Sequence, residues 1–150
     1  MKLTKVVDGI EKKLDSMVNR AKSIKSYFAK VAYPRYQKAQ IQRWQTENES
    51  EGERWTPLNP FYKSIKPFRF AGYDYGGTKM LIATGELLKS VVGKGNSMHQ
   101  AIFTNTEMVI STSVPYAGYV AYVRPFMEFS QKTIDAWEQD LQDFIDEALG

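Results

Sequence analysis

One feature limits the fold of this 150-residue chain more than any other. Leu3, Val7, Ile10, Leu14, Met17, Ala21, Ile24, Phe28 and Val31 follow one another at alternating spacings of four and three. That is the apolar stripe of an amphipathic helix, sustained over about four heptads. Gly9 weakens it locally, and Pro34 predicts a break or kink at Tyr33. A shorter helix follows over about Arg35 to Gln45, carrying Tyr36, Ile41 and Trp44. The stripe fits a buried seam against the protein's own body, or the core of a self-associating coiled coil. It lacks the buried polar residue that fixes coiled-coil register, and packing against the body is at least as well supported.

The far end mirrors the near one. Ser130 caps a last helix whose Ile134, Trp137, Leu141, Phe144, Ile145 and Ala148 share one face. Residues 1–43 carry eleven basic side chains against three acidic ones, and residues 131–150 carry one basic against six acidic. The net charge of +3 therefore conceals a strong polarity. Opposed ends point to head-to-tail contact between subunits or to pairing of the two helices within one chain. A uniformly basic nucleic-acid binder has a different distribution.

Between the ends, periodicity changes character. From Thr46 to about Lys79 it disappears, and Pro57, Pro60, Pro67, Gly72, Gly76 and Gly77 read as a long loop. The loop is unusually aromatic, with Trp55, Phe61, Tyr62, Phe68, Phe70, Tyr73 and Tyr75. Long irregular segments inside compact domains tend to be functional. Thr84 then caps a short helix from Gly85 to Val91. His99–Phe103 and Met108–Thr112 read as two strands joined at Asn105-Thr106. Pro115 opens another short helix running to about Tyr122. The expectation is one α+β domain over residues 1–150: a helical part (1–45), a long loop (46–79), and an α+β core with the C-terminal helix (80–150).

Chemistry-bearing candidates are few. Cysteine is absent, which removes disulfides, thiol nucleophiles and zinc–thiolate sites, and His99 is the only histidine. Neither a cofactor nor a metal site is expected. Glu47, Glu49, Glu51 and Glu53 alternate through a polar, glycine-containing run, which reads as a solvated loop rather than a carboxylate pair. Gly72 to Lys79 does not fit a phosphate loop, because Met80 follows the lysine. A base role for His99 beside Ser97 or Ser111 lacks any nucleophile-elbow signature. The lysines of the first helix offer a nucleic-acid-binding alternative, with only Tyr27 and Phe28 for base stacking. No apolar stretch reaches membrane-spanning length, and the charged start of the chain does not resemble a signal peptide.

Four segments resemble a known family. Gly52-Glu53-Arg54-Trp55-Thr56-Pro57-Leu58 is similar to a G-x-x-W-x-P-L motif of tailed-phage virion morphogenesis (tail-completion or neck) proteins. Leu81 to Val91, with Thr84-Gly85 and Leu87, resembles the family's ILxxTGxLxxSI. Pro115-Tyr116-Ala117, with Tyr119 and Tyr122, resembles its YA region, and Arg124-Pro125-Phe126-Met127 its RPFL segment. Order and rough spacing agree over residues 35–145. The chain departs from the pattern where Val120-Ala121-Tyr122-Val123 runs straight into Arg124, which implies a tighter turn there.

The resemblance implies a non-enzymatic structural protein of the virion, assembled in the host cytoplasm. Several copies would form a ring at the neck or head-proximal end of the tail. Its partners would be head-closure or connector proteins and tail-terminator or tail-tube proteins, with DNA passing nearby in the channel. The motif residues Trp55, Pro57, Leu58, Gly85, Leu87, Tyr116, Arg124 and Phe126 are expected to maintain the fold, with Arg124 pairing to the acidic last helix. Tyr62, Tyr73 and Tyr75 are the expected partner-contact residues, because aromatics are enriched at interfaces.

Overall fold

The computed structural model describes residues 12, 14–15, 17–19, 23–93 and 95–149. The fold is α+β: helices surround a core that also takes in one two-stranded antiparallel sheet. Of the N-terminal stripe, Leu3, Val7, Ile10 and Ala21 lie outside the described residues. Leu14 and Met17 are exposed, and Ile24, Phe28 and Val31 are half-buried. Beside the C-terminal end of the stripe, Tyr27 is buried with its ring 4.6 Å from that of Phe144.

The expected break at Tyr33 takes a different form. Helical residues 23–27 (α1) run through a π turn, Phe28–Ala32, directly into α2, Tyr33–Gln45. The Tyr33 N–H donates to the carbonyl five residues back, on Phe28. Pro34 has no N–H, and its ring would crowd the carbonyl four residues before it. Widening one turn absorbs both problems without ending the helix. The buried face of α2 carries Tyr36, Gln40, Arg43 and Trp44.

Residues 46–79 are not one irregular loop. They contain a 3₁₀ turn at Glu49–Glu51, a helix α3 at Pro60–Arg69 and a second tight turn at Asp74–Gly77. Asn59 caps α3, its Oδ1 accepting the Phe61 N–H at 2.9 Å, and Pro60 occupies the first turn, where a missing N–H costs nothing. Pro67 sits in the last turns of a short helix, which continues past it to Arg69. Gly77 lets the second tight turn lie on α3. A Cβ there would meet the Lys66 carbonyl oxygen at 2.5 Å, and its φ is +75°.

The second half follows the expected order. Helix α4 is Glu86–Val92, preceded by Gly85 in left-handed conformation. Gly85, rather than Thr84, holds the cap position, while Thr84 Oγ1 accepts the Glu86 N–H at 3.4 Å. Strands β1 (His99–Phe103) and β2 (Met108–Thr112) pair from His99↔Thr112 to Phe103↔Met108. Helix α5 is Ala117–Val123, and Arg124 leaves it directly in extended conformation. Helix α6, Gln131–Leu149, completes the chain, with Ser130 Oγ accepting the Thr133 N–H at 3.3 Å.

The core joins α2, α4 and the two motif segments. Trp44, Trp55, Ile82, Leu87, Val91, Val114 and Phe126 are buried together, and Trp44 meets both Trp55 and Phe126 edge-on. Tyr36 donates to the Val91 carbonyl at 3.0 Å, and burial pushes its phenol up to about 12.

The charge polarity of the sequence is partly spent inside the molecule. Arg35 on α2 pairs with Asp140 on α6. The two helices of opposite charge are therefore neighbours in one chain.

Candidate functional site

Many of the polar side chains serve the fold itself. Residues 55–57 and 124–128, two of the segments carrying the family resemblance, lie against each other. Trp55 Nε1 donates to the Pro125 carbonyl at 2.7 Å. Arg124 donates back to the Thr56 and Pro57 carbonyls at 2.8 and 3.2 Å. It does not pair with the acidic helix: its fork geometry is satisfied by two successive carbonyls, and Arg35 takes the carboxylate instead.

Arg43 anchors the same seam from α2. Its guanidinium donates to the carbonyls of Phe126 (2.8 Å), Glu128 and Pro125, and to Asn48 Oδ1 at 2.5 Å. Gln40 adds a donor to the Phe126 carbonyl at 2.9 Å. Burial works to lower the Arg43 pKa, yet guanidinium keeps its charge in proteins. An extended segment with no strand beside it thus has its carbonyls satisfied by side chains.

The glutamate run is not simply solvated. Glu47 accepts from Arg54 at 3.0 Å and from the Met80 N–H at 3.1 Å. Glu51 accepts from the Ser130 N–H at 3.1 Å and the Thr133 hydroxyl at 2.8 Å, at the start of α6. Burial pushes the Glu51 carboxyl upward, but the bonds from Ser130 and Thr133 and the charge of Arg43 outweigh it and hold the group below its usual range. Glu49 and Glu53 remain exposed.

His99 has both ring nitrogens engaged. Nδ1 lies 2.7 Å from the Ser90 carbonyl and Nε2 lies 2.7 Å from the Tyr33 hydroxyl. A carbonyl only accepts, so Nδ1 carries the hydrogen and Nε2 of the neutral ring accepts from Tyr33. Burial raises the Tyr33 pKa, which favours this donor role. The imidazole ties α2, α4 and β1 together. Neither Ser97 nor Ser111 is bonded to it; Ser111 Oγ reaches Gln100 instead.

What the fold does not use stands outside. Helix α3 is turned with a lysine inward: Lys66 is 3% exposed and donates to the Lys79 carbonyl. Burial depresses its pKa. Phe61 and Phe68 on the same helix face solvent, Phe68 being 87% exposed. On α5 and the residue before it, Tyr116, Tyr119 and Tyr122 recur every three residues, and Tyr122 is 89% exposed. Large side chains of this kind mark interaction sites where they form a contiguous patch.

The expected contact residues divide. Tyr73 and Tyr75 are half exposed or nearly so, while Tyr62 is partly buried. Among the expected fold-maintaining residues, Trp55, Leu87 and Phe126 are buried, Gly85 is buried at positive φ, and Leu58 packs against the core. Pro57 and Tyr116 do not belong with them: both are exposed. Phe68, Tyr119 and Tyr122 are the most exposed aromatics, and none of them is among the expected contact residues. Their signal was the Asn59-Pro60 helix start and the three-residue tyrosine spacing after Pro115.

A groove of about 740 Å³ is lined by Glu53, Arg54, Pro57 and Leu58 together with Lys63 and Pro67 of α3. Among the described residues, no cluster of three or more His, Asp or Glu could hold a metal ion, and no helix is long and apolar enough to cross a membrane. Compared with protein-family models, curated proteins and solved structures, the chain matches none.

Proposed function

We propose that this chain is a structural subunit of a tailed-phage virion. It acts as a tail-completion or neck protein, several copies of which form a ring that helps join tail to head. Its mechanism is burial of surface between subunits and onto neighbouring rings, without bond chemistry. Copies of itself, a head-closure or connector ring and a tail-terminator or tail-tube ring are the partners this role calls for.

The observation that carries the proposal is the inverted helix α3, with Lys66 inside and Phe61 and Phe68 outside. A sequence selected only for folding would turn that helix round, since burying a lysine is costly and exposing two phenylalanines forgoes about 1.5–3 kcal/mol each. The resemblance supplies the context in which such a surface is used. In addition, the seam between residues 55–57 and 124–128 gives two of its four motifs a common structural purpose.

The test is electron microscopy of lysates of a phage with a stop codon at this gene. DNA-filled heads lying beside complete, detached tails are the expected result. Normal infectious virions would overturn the proposal and bring forward the nucleic-acid alternative. That alternative predicts duplex-DNA binding by the basic helix that weakens steeply with salt.

A further inference from the structure

The hairpin has an unusual pair of edges. Ser113 N–H donates to the Met98 carbonyl and Thr104 N–H to the Glu107 carbonyl, which fixes the alternation of the ladder. With the register His99↔Thr112 to Phe103↔Met108, residues 100, 102, 109 and 111 bond across the hairpin. The N–H and C=O groups of Ala101 and Phe103 therefore point off one edge, and those of Met108, Ile110 and Thr112 off the other. Among the described residues these groups have no hydrogen-bond partner.

Open edges are normally blunted by charge, proline or a bulge. Here His-Gln-Ala-Ile-Phe and Met-Val-Ile-Ser-Thr contain no lysine, arginine, carboxylate or proline, and the register is unbroken. On the outer face Ile102 and Val109 stand directly opposite each other, 55% and 41% exposed. Devices against pairing are missing, and an apolar row is already laid out along the direction in which further strands would add.

We propose that this hairpin is the joint between subunits. The free edge of β2 in one copy pairs with the free edge of β1 in the next, so that the ring shares a continuous sheet. This rests on the ring-of-copies reading above. The occupant is a second copy because the two edges complement each other. Each edge offers backbone groups at alternate residues of a five-residue strand. Rotating one hairpin beside another sets β2 antiparallel to the next β1, as within the hairpin itself. Ile102 then neighbours a Val109 on both sides. Because the two edges are different, the contact is heterologous, and heterologous contacts that close make rings.

The test is residue-resolved amide exchange over a protein concentration series up to the solubility limit, with mass measured by light scattering on the same samples. The expected result is that an oligomer forms and that exchange at Ala101, Phe103, Ile110 and Thr112 is lost with it. Amides within the ladder, at Ile102 and Val109, serve as the protected reference. Ile102→Lys and Val109→Lys, both on the exposed face, are expected to keep the native fold and lose the oligomer. An oligomer whose edge amides exchange as in the monomer overturns the joint but leaves the ring. A protein that stays monomeric at every concentration overturns the ring of copies and the joint with it. Lysine variants that assemble as the native chain does also overturn the joint.

Discussion

Helices α2 and α3 make opposite uses of the same materials. Both have proline near the start and both mix aromatic with basic residues. In α2 the aromatics Tyr36 and Trp44 are buried, and Arg43 is buried with them because four acceptors surround its guanidinium. In α3 a lysine is buried on a single carbonyl while the phenylalanines are held in solvent. The first arrangement pays for itself through packing. In the proposed role, a partner later covers Phe61 and Phe68. The comparison teaches that what a helix leaves outside is as informative as what it buries.

The contrast can be broken from either side. The largest effect is expected in the seam that α2 supports. Phe126→Ala should destabilise the protein by about 3–5 kcal/mol in denaturant unfolding, since the side chain is almost wholly buried against Trp44. Arg43→Met should cost about 1–3 kcal/mol by leaving the Glu128 carbonyl without its donor and the Phe126 carbonyl with Gln40 alone. Gly77→Ala should cost about 1–3 kcal/mol, because a side chain at that positive φ also meets the α3 backbone.

A pH effect sharpens the picture of how α6 is tied down. The Glu51 carboxyl is held below its usual range in the folded state. The folded protein therefore binds this proton less readily than the unfolded chain. Its contribution is complete above the ordinary carboxylate range and is lost as pH falls through that range and below it. Glu51→Gln should flatten the acid side of the stability profile, measured by thermal melts across pH, and leave the neutral side with less stability to lose. An unchanged acid slope would mean that Glu51 does not hold the start of α6.

The smallest effect on stability is expected at the outward aromatics. Phe68→Ser and Tyr122→Ser should move stability by no more than about 0.5 kcal/mol, because both side chains are already in solvent. Destabilisation comparable to Phe126→Ala would show that they belong to the fold.

Legibility in the sequence followed the source of each signal. The hairpin, α4, α5 and α6 were readable because alternation, caps and helical periodicity agree locally there. Helix α3 was not, although Asn59-Pro60 announces its start. Phe61 and Phe68 fall on its outer face, so its apolar pattern points away from the core and Pro57, Pro60 and Pro67 dominate the local reading. The seam was hidden for another reason: Trp55, Arg43 and Arg124 meet carbonyls seventy or more residues away in sequence in two of these cases, and no local pattern encodes that. Pairing of the oppositely charged ends was one of two readings, and Arg35–Asp140 realises the intramolecular one. Of the exposed aromatics, Tyr73 and Tyr75 are legible in the glycine-rich turn, while Phe68, Tyr119 and Tyr122 require knowing which way their helices turn.

The central claim is that the outward aromatics exist for assembly. The most direct measurement is the fraction of tails joined to filled heads, counted by electron microscopy, in a phage whose only copy of this protein carries Phe61→Ser, Phe68→Ser and Tyr122→Ser. The account predicts soluble, folded variant protein with filled heads and complete tails lying apart. Joined, infectious particles at the native frequency would contradict it.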